Sequence, residues 1–226
     1  MRDFTILAFV ILVFASCSRN RHLTADYERF AKRHNQIAVL PYDIQMIGRK
    51  VAEMEQEEVD NLRSVESKLF QQSLYSEVLK RTGNRKNDIK ISVQDINKTN
   101  RLLKEAGIAL IEIGEYSPNE LGSILGVDAV ISTKLVKEMF LSREESLLME
   151  VATTTILDKV PVQVGPYTRS KVTRSSEVDV YCTIVDAQAE SAIWVYNTEC
   201  DLQWDMDPDD VIENINGSIS RNFPYK

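Results

Sequence analysis

Apolar residues along this chain fall either into short unbroken runs or into longer stretches spaced three and four apart, and the two kinds alternate. Unbroken runs bounded by turn residues read as strands buried on both faces, and three-four spacing reads as the inner face of a helix. Residues 117–136, SPNELGSILGVDAVISTKLV, hold both. Ser117 is an N-cap, Pro118 occupies the first helical position, and Glu120 is placed to close a capping box on Ser117. Gly126 supplies the stop, and Val127 to Ile131 continue as an interior strand.

The same reasoning places the other elements. Residues 24–34 read as a short amphipathic helix with Thr24 as cap and Tyr27, Phe30 and Ala31 on one face. Ile37 to Leu40 form a strand that Pro41 ends for want of an N–H, which leaves 43–51 as a loop. The longest helix runs over 55–81, with acids crowding its start, Lys80 and Arg81 at its end, and Leu62, Val65, Leu69, Tyr75, Val78 and Leu79 toward the sheet. A short strand follows at 89–93, and Asp95 then caps a helix with Leu102, Leu103 and Ala106 inward and Gly107 as its stop. Residues 108–116 fit either an edge strand or an apolar loop.

Ser142 to Glu145 form a second capping box ahead of LLMEVATTTIL, and 158–176 read as a loop or irregular hairpin. Residues 177–186 and 191–200 pair as a hairpin, with Val180, Cys182, Ile184, Ile193 and Val195 on one face and Tyr181, Val185, Trp194 and Tyr196 on the other. Asp207 and Pro208 open a last helix through Val211, Ile212, Ile215 and Ile219. Assembled, these predict an α/β fold: a mixed β-sheet of about five strands, helices on both faces, and a C-terminal β-hairpin followed by a closing helix.

The first sixteen residues stand apart. Arg2 supplies a basic start, and Phe4 to Phe14 are an apolar run too short to span a bilayer as a mature helix. Ala15 and Ser16 precede Cys17, and the sequence FASC resembles the lipobox of bacterial lipoproteins. The resemblance implies a signal peptide over 1–16 and lipidation of Cys17; an ordinary secretory signal cleaved nearby is the alternative. Residues 17–35 are then anchor, tether and short helix, and 36–226 the folded domain. Ser18 stands where an inner-membrane lipoprotein carries aspartate, so the implied location is the outer membrane, lipid-anchored and facing the periplasm.

The net charge of −7 without a basic stripe excludes nucleic acid as a partner. Catalytic chemistry is sparse. The two histidines, His22 and His34, sit in the tether and at the end of a short helix, and no phosphate-binding glycine loop, HExxH or GxSxG occurs. Asp205, Asp207, Asp209 and Asp210 lack the glycine and terminal glutamate of a calcium loop, and helix capping accounts for most of them. Neither metal nor cofactor is expected. Cys182 and Cys200 are expected as free thiols, because the hairpin sets Cys200 roughly four or five residues past Cys182's partner at ~3.3 Å each, beyond the ~7 Å limit of a bridge.

IAVLPYD at 37–43, ELGSILGVDAV at 120–130 and VDVYCTIVDAQAESAIWVYN at 178–197 resemble the curli secretion channel (CsgG) domain and the related N-terminal domain of TolB. The closing NFPY is similar to the end of Bacteroidetes-type secreted lipoproteins. The resemblance covers about residue 36 to 226 and implies a non-catalytic, lipid-anchored domain that binds another envelope component in a scaffold or accessory role, as the TolB-like and penicillin-binding-protein-activator-like relatives do. It also admits a homo-oligomer, as a ring-forming export channel. That alternative needs two membrane hairpins per subunit; 147–157 suits one strand, but Arg169, Lys171, Arg174 and Glu177 spoil its partner. A hydrolase is disfavoured by the missing groups. The expected docking site is the 43–51 loop, where Ile44, Met46 and Ile47 stand beside Arg49 and Lys50, an apolar and basic mixture suited to an interface. The alternative is that Ile44 and Ile47 tuck under the long helix.

Overall fold

The computed structural model of the chain describes residues 20–83, 85–140, 174–203 and 207–226. Cys17, the second capping box, the 147–157 stretch, most of the 158–176 loop and Asp205 lie outside them. The strands are β1 (Asn20–Leu23), β2 (Gln36–Val39), β3 (Asp43–Ile47), β4 (Ser92–Val93), β5 (Ala129–Met139), β6 (Arg174–Asp186) and β7 (Ser191–Gln203). They form one mixed sheet in the order β1-β7-β6-β5-β2-β4, with β3 also paired to β5. The helices are α1 (Tyr27–Ala31), α2 (Arg49–Ala52), α3 (Gln56–Leu79), α4 (Ile96–Glu105), α5 (Pro118–Leu125) and α6 (Pro208–Arg221), with a 3₁₀ segment at Leu110–Glu115 where strand or loop was expected.

The mixed sheet with helices on both faces follows from alternation along β2 and β5. Ile37, Val39, Ala129, Ile131 and Leu135 point into a core shared with Phe30, Phe70, Leu74 and the inner face of α6. Ala38, Leu40 and Val130 point the other way, onto Leu103, Leu121 and Leu125 of α4 and α5. Burial on both sides is why these runs are unbroken. The start of α5 is as read: Ser117 accepts the Glu120 amide, the Glu120 carboxylate accepts the Ser117 amide, and Gly126 closes the helix at φ 65°.

Seven strands replace the expected five or so, and each of the two additions has its own cause. Pro41 does not end the pairing. Residues 40–42 stand opposite 132–133, so the chain bulges by one residue at the proline and rejoins β5 as β3, Asp43 opposite Lys134. A bulge is where a ladder accommodates a residue without an N–H. The second addition, β1, was read as tether because its residues are polar; it lies antiparallel along β7 at the sheet edge, Leu23 opposite Trp194. Thr24 extends that pairing by donating its amide and hydroxyl to the Ile193 carbonyl, so Asp26 rather than Thr24 opens α1.

The bulge also explains an error of phase in α3. Its buried residues are Val59, Ser67, Phe70, Gln71, Leu74 and Val78, whereas Val65 and Leu69, expected inside, are 48% and 45% exposed, and Leu79 is exposed too. Ser67 donates to the Tyr42 carbonyl at 2.8 Å and Gln71 to the Val39 carbonyl at 2.9 Å, on either side of Pro41. Two polar residues therefore occupy the inner face to satisfy backbone at the bulge, and apolar spacing alone picks a face rotated away from it.

In the hairpin, Ile193 is an extra residue beside the Ile184/Val185 step, so Ile184 pairs with Trp194 and Cys182 with Tyr196. Trp194 and Tyr196 consequently join Val180, Cys182 and Ile184 in the core, while Tyr181 faces outward. Cys200 lies opposite Val178, and no disulfide joins it to Cys182. Burial pushes the Cys182 thiol up to about 12.

Candidate functional site

The expected docking loop is strand β3 followed by α2, and the pleat divides its residues. Ile44 is buried, its carbonyl accepting Arg63 Nε at 2.7 Å, and so belongs to the core. Met46 is half-buried against the same core. Ile47 points to the opposite face and is 47% exposed. Gly48, at φ 104°, turns the chain beside the end of β5; a Cβ there would lie 2.5 Å from the Met139 carbonyl oxygen. Arg49 and Lys50 then sit on α2, both ion-paired to Glu53, with Lys50 largely covered. The five residues are brought to one place but not to one surface.

The surface that Ile47 joins is the C-terminal half of the second sheet face. Alternation and register set three rows side by side: Lys134, Tyr181 and Asn197; Gln45, Val136, Asp179 and Glu199; Ile47, Glu138 and Glu177. Helices α4 and α5 pack over the other half of this face, on Ala38, Leu40, Val130 and Val185. Ile47 and Tyr181, at 47% and 44%, are the most exposed large apolar residues of the sheet among the described residues. Between them the oxygens of Glu177, Asp179 and Glu199 lie within 4.8 Å of one another. Burial and the neighbouring Glu177 charge push the Asp179 carboxyl above its ordinary value. The result is an acidic face with two apolar posts. Sequence reading found Ile47 but not its companions, since Tyr181 reads as a core residue until the hairpin's extra residue fixes the faces.

His34 is the second cluster, and it was missed. Its ring is 2% exposed, with Nε2 2.8 Å from Asp186 Oδ2 and Nδ1 2.6 Å from the Tyr225 hydroxyl. A neutral ring satisfies all three groups: Nε2–H donates to the carboxylate and the phenol donates to Nδ1. Asp186 also accepts the Gln188 and Ala189 amides, with Arg33 at 3.5 Å. Burial works to raise the Asp186 carboxyl, but the hydrogen bonds from His34 and the two amides outweigh it and hold the group below its ordinary value. Burial, with the charges of Tyr27, Asp186 and Asp128, raises the Tyr225 phenol. An Asp-His-Tyr chain invites comparison with a proton relay. The His34 and Asp186 side chains are nevertheless almost fully covered and Tyr225 is buried, and what they do here is fasten the end of the α1 segment to the hairpin turn and the C-terminal tail. No local motif signals this, because the partners are separated by 152 and 191 residues.

No protein-family model matches the chain and no curated protein does. Among solved structures it is similar to the PelC dodecamer from Paraburkholderia phytofirmans, at 8% identity and a TM-score of 0.41, over 92% of this chain and 97% of that one. It is also similar to lipoprotein GNA1162 from Neisseria meningitidis, at 11% identity and 0.42, over 81% and 92%. A third is the LpoB C-terminal domain from Salmonella enterica, at 6% and 0.36, over 78% and 95%. At these scores the likenesses assign neither family nor activity.

Among the described residues no helix is long and apolar enough to cross a membrane. Of the acidic residues near 207, Asp207 caps α6 by accepting the Asp209 amide at 2.9 Å, as capping predicts.

Proposed function

We propose that this chain is a non-catalytic, lipid-anchored periplasmic domain of the outer membrane that binds another envelope protein, in a scaffold or accessory role, through the acidic half-face of its sheet. The observation that carries the reading is the pairing of exposed Ile47 and Tyr181 with the Glu177, Asp179 and Glu199 carboxylates on a rigid sheet. Apolar posts within a charged rim are the composition of a recognition surface, and the fitting partner presents basic groups around an apolar contact. The lipobox at Cys17 and the CsgG-like and TolB-like resemblance support the anchored, envelope part of the reading. His34 is occupied in fastening segments together, which supports a binding role over catalysis.

The test uses the full anchored chain in its native envelope. A photo-crosslinking residue in place of Tyr181 is expected to give a discrete protein adduct, and one in place of Lys104 on α4 is not. The Ile47→Asp, Tyr181→Asp double substitution should abolish that complex while leaving the thermal midpoint within a few degrees, since exposed changes away from structural features usually stay within about 0.5 kcal/mol each. Equal crosslinking at both positions, or turnover of cell-wall substrates by the purified monomer, would overturn the proposal.

A further inference from the structure

Cys17 stands three residues before Asn20, and Asn20 begins a strand fixed along β7. Three extended residues reach no more than ~11 Å. An acyl group on Cys17 therefore keeps the lipid attachment point within that distance of the start of β1. This is the range over which an anionic surface attracts basic groups, because the Debye length is about 8–10 Å at physiological salt. A domain on so short a lead rests against its membrane, and which side it presents is set by what surrounds β1.

On the side of α1 and the C-terminal tail β1 is flanked by basic residues, although the chain carries a net charge of −7 and Glu199 stands two residues past Asn197, the β7 partner of Asn20. Arg21 is exposed on β1. It lies close enough to Lys226, as does Arg81, that burial and these two cations together lower the Lys226 ammonium. Beside them a hollow of about 390 Å³ is lined by Tyr27, His34, Tyr225 and the cations Lys32, Lys90 and Lys226, with Glu28 the one acidic side chain on its wall. Glu28 pairs with Lys32 at 3.3 Å, but both side chains are 76% exposed, so the pair is weak and Lys32 can exchange onto another anion. The other cations bond to neutral groups: Lys90 to the Gly83 and Arg85 carbonyls, Lys226 to the Arg221 carbonyl, and Arg81 to the Ser220 hydroxyl. Their charges are positioned but not cancelled. Leu23, 43% exposed at the rim, adds an apolar tip of the kind that sits at the headgroup boundary.

We propose that the β1 edge and its adjoining hollow dock on the membrane that holds the anchor, with Arg21, Lys32, Lys90 and Lys226 on anionic phospholipid headgroups and the acidic half-face left clear for its protein partner. The proposal rests on acylation of Cys17. It deepens the reading above by giving the anchored domain a fixed orientation.

The experiment places the acylated full chain in vesicles containing phosphatidylglycerol and a nitroxide-headgroup lipid. A fluorescent amino acid stands in place of His22 on β1 or Lys104 on α4, which packs over β2 toward the other edge of the sheet. Quenching several-fold stronger at position 22 is expected. The combined Arg21→Glu, Lys32→Glu and Lys226→Glu substitutions, or high salt, should remove the difference. Equal quenching at the two positions in the unsubstituted protein overturns the docking proposal alone. The mass of the mature N-terminus reads the premise separately: a chain with no acyl group on Cys17 overturns the anchored reading itself, and the docking proposal with it. Partition of the unacylated Cys17→Ser chain onto the same vesicles should fall at least tenfold on the triple substitution, at ~1 kcal/mol for each basic group near the surface. An unchanged partition counts against the basic face as the docking surface.

Discussion

At the scale of single residues, His34 joins segments that the chain keeps far apart. Replacing it by leucine keeps the volume but removes the donor to a carboxylate that is 3% exposed. Breaking such a pair leaves a buried charge short of partners, a loss of about 3 kcal/mol, which for a chain of this size lowers the midpoint by roughly 6–12 °C. The pH dependence has a definite sign. The Asp186 carboxyl is held below its ordinary value in the fold, so its contribution is present at neutral pH and disappears as the pH falls through the folded value. Thermal unfolding of His34→Leu should therefore differ most from the unsubstituted chain near pH 7 and converge with it in acid. An equal midpoint at neutral pH would show that the fastening is not needed. Nothing in the sequence around His34 announces this role, because its chemistry is assembled from three separate places.

Elements were legible where their signals are local. The capping box of Ser117 and Glu120, the stops at Gly107 and Gly126, the Asp95 cap and the Asp207-Pro208 start are each written within a few residues, and the structure realises them. Where a distant backbone group decides the matter, the reading failed. The inner face of α3 is set by carbonyls beside Pro41, and β3 is hidden behind a proline that reads as a terminator. The stretch expected to dock a partner divides for the same reason: a loop has no faces, so the buried Ile44 could not be separated from the exposed Ile47. Glycine gives a direct check on the end of β3. Gly126→Ala meets open space and should cost about 1 kcal/mol for its left-handed backbone. Gly48→Ala adds a collision with the Met139 carbonyl and should cost more than that in chemical denaturation, with faster amide exchange over 44–47. Equal costs for the two would mean that β3 and the end of β5 separate freely.

For the whole molecule, the sheet with its two helical layers was foreseen, because strands buried on both faces can be covered in few ways. Its width was not, because the strand that completes the β7 edge is polar and short. That strand also bears on when the molecule is finished. Thr24 bonds to Ile193 across 169 residues of chain, a closure whose entropy costs roughly 4–5 kcal/mol and has no return until the β6–β7 hairpin exists. During refolding, pulsed hydrogen exchange should find β5 and β6 protected before β1, and simultaneous protection would contradict this order. In a chain emerging from an export channel, the residues around β1 then stay extended and accessible while the rest is still crossing. The acylation proposed for Cys17 would thus have a time window that closes only when the last strand to be synthesised calls the first one home.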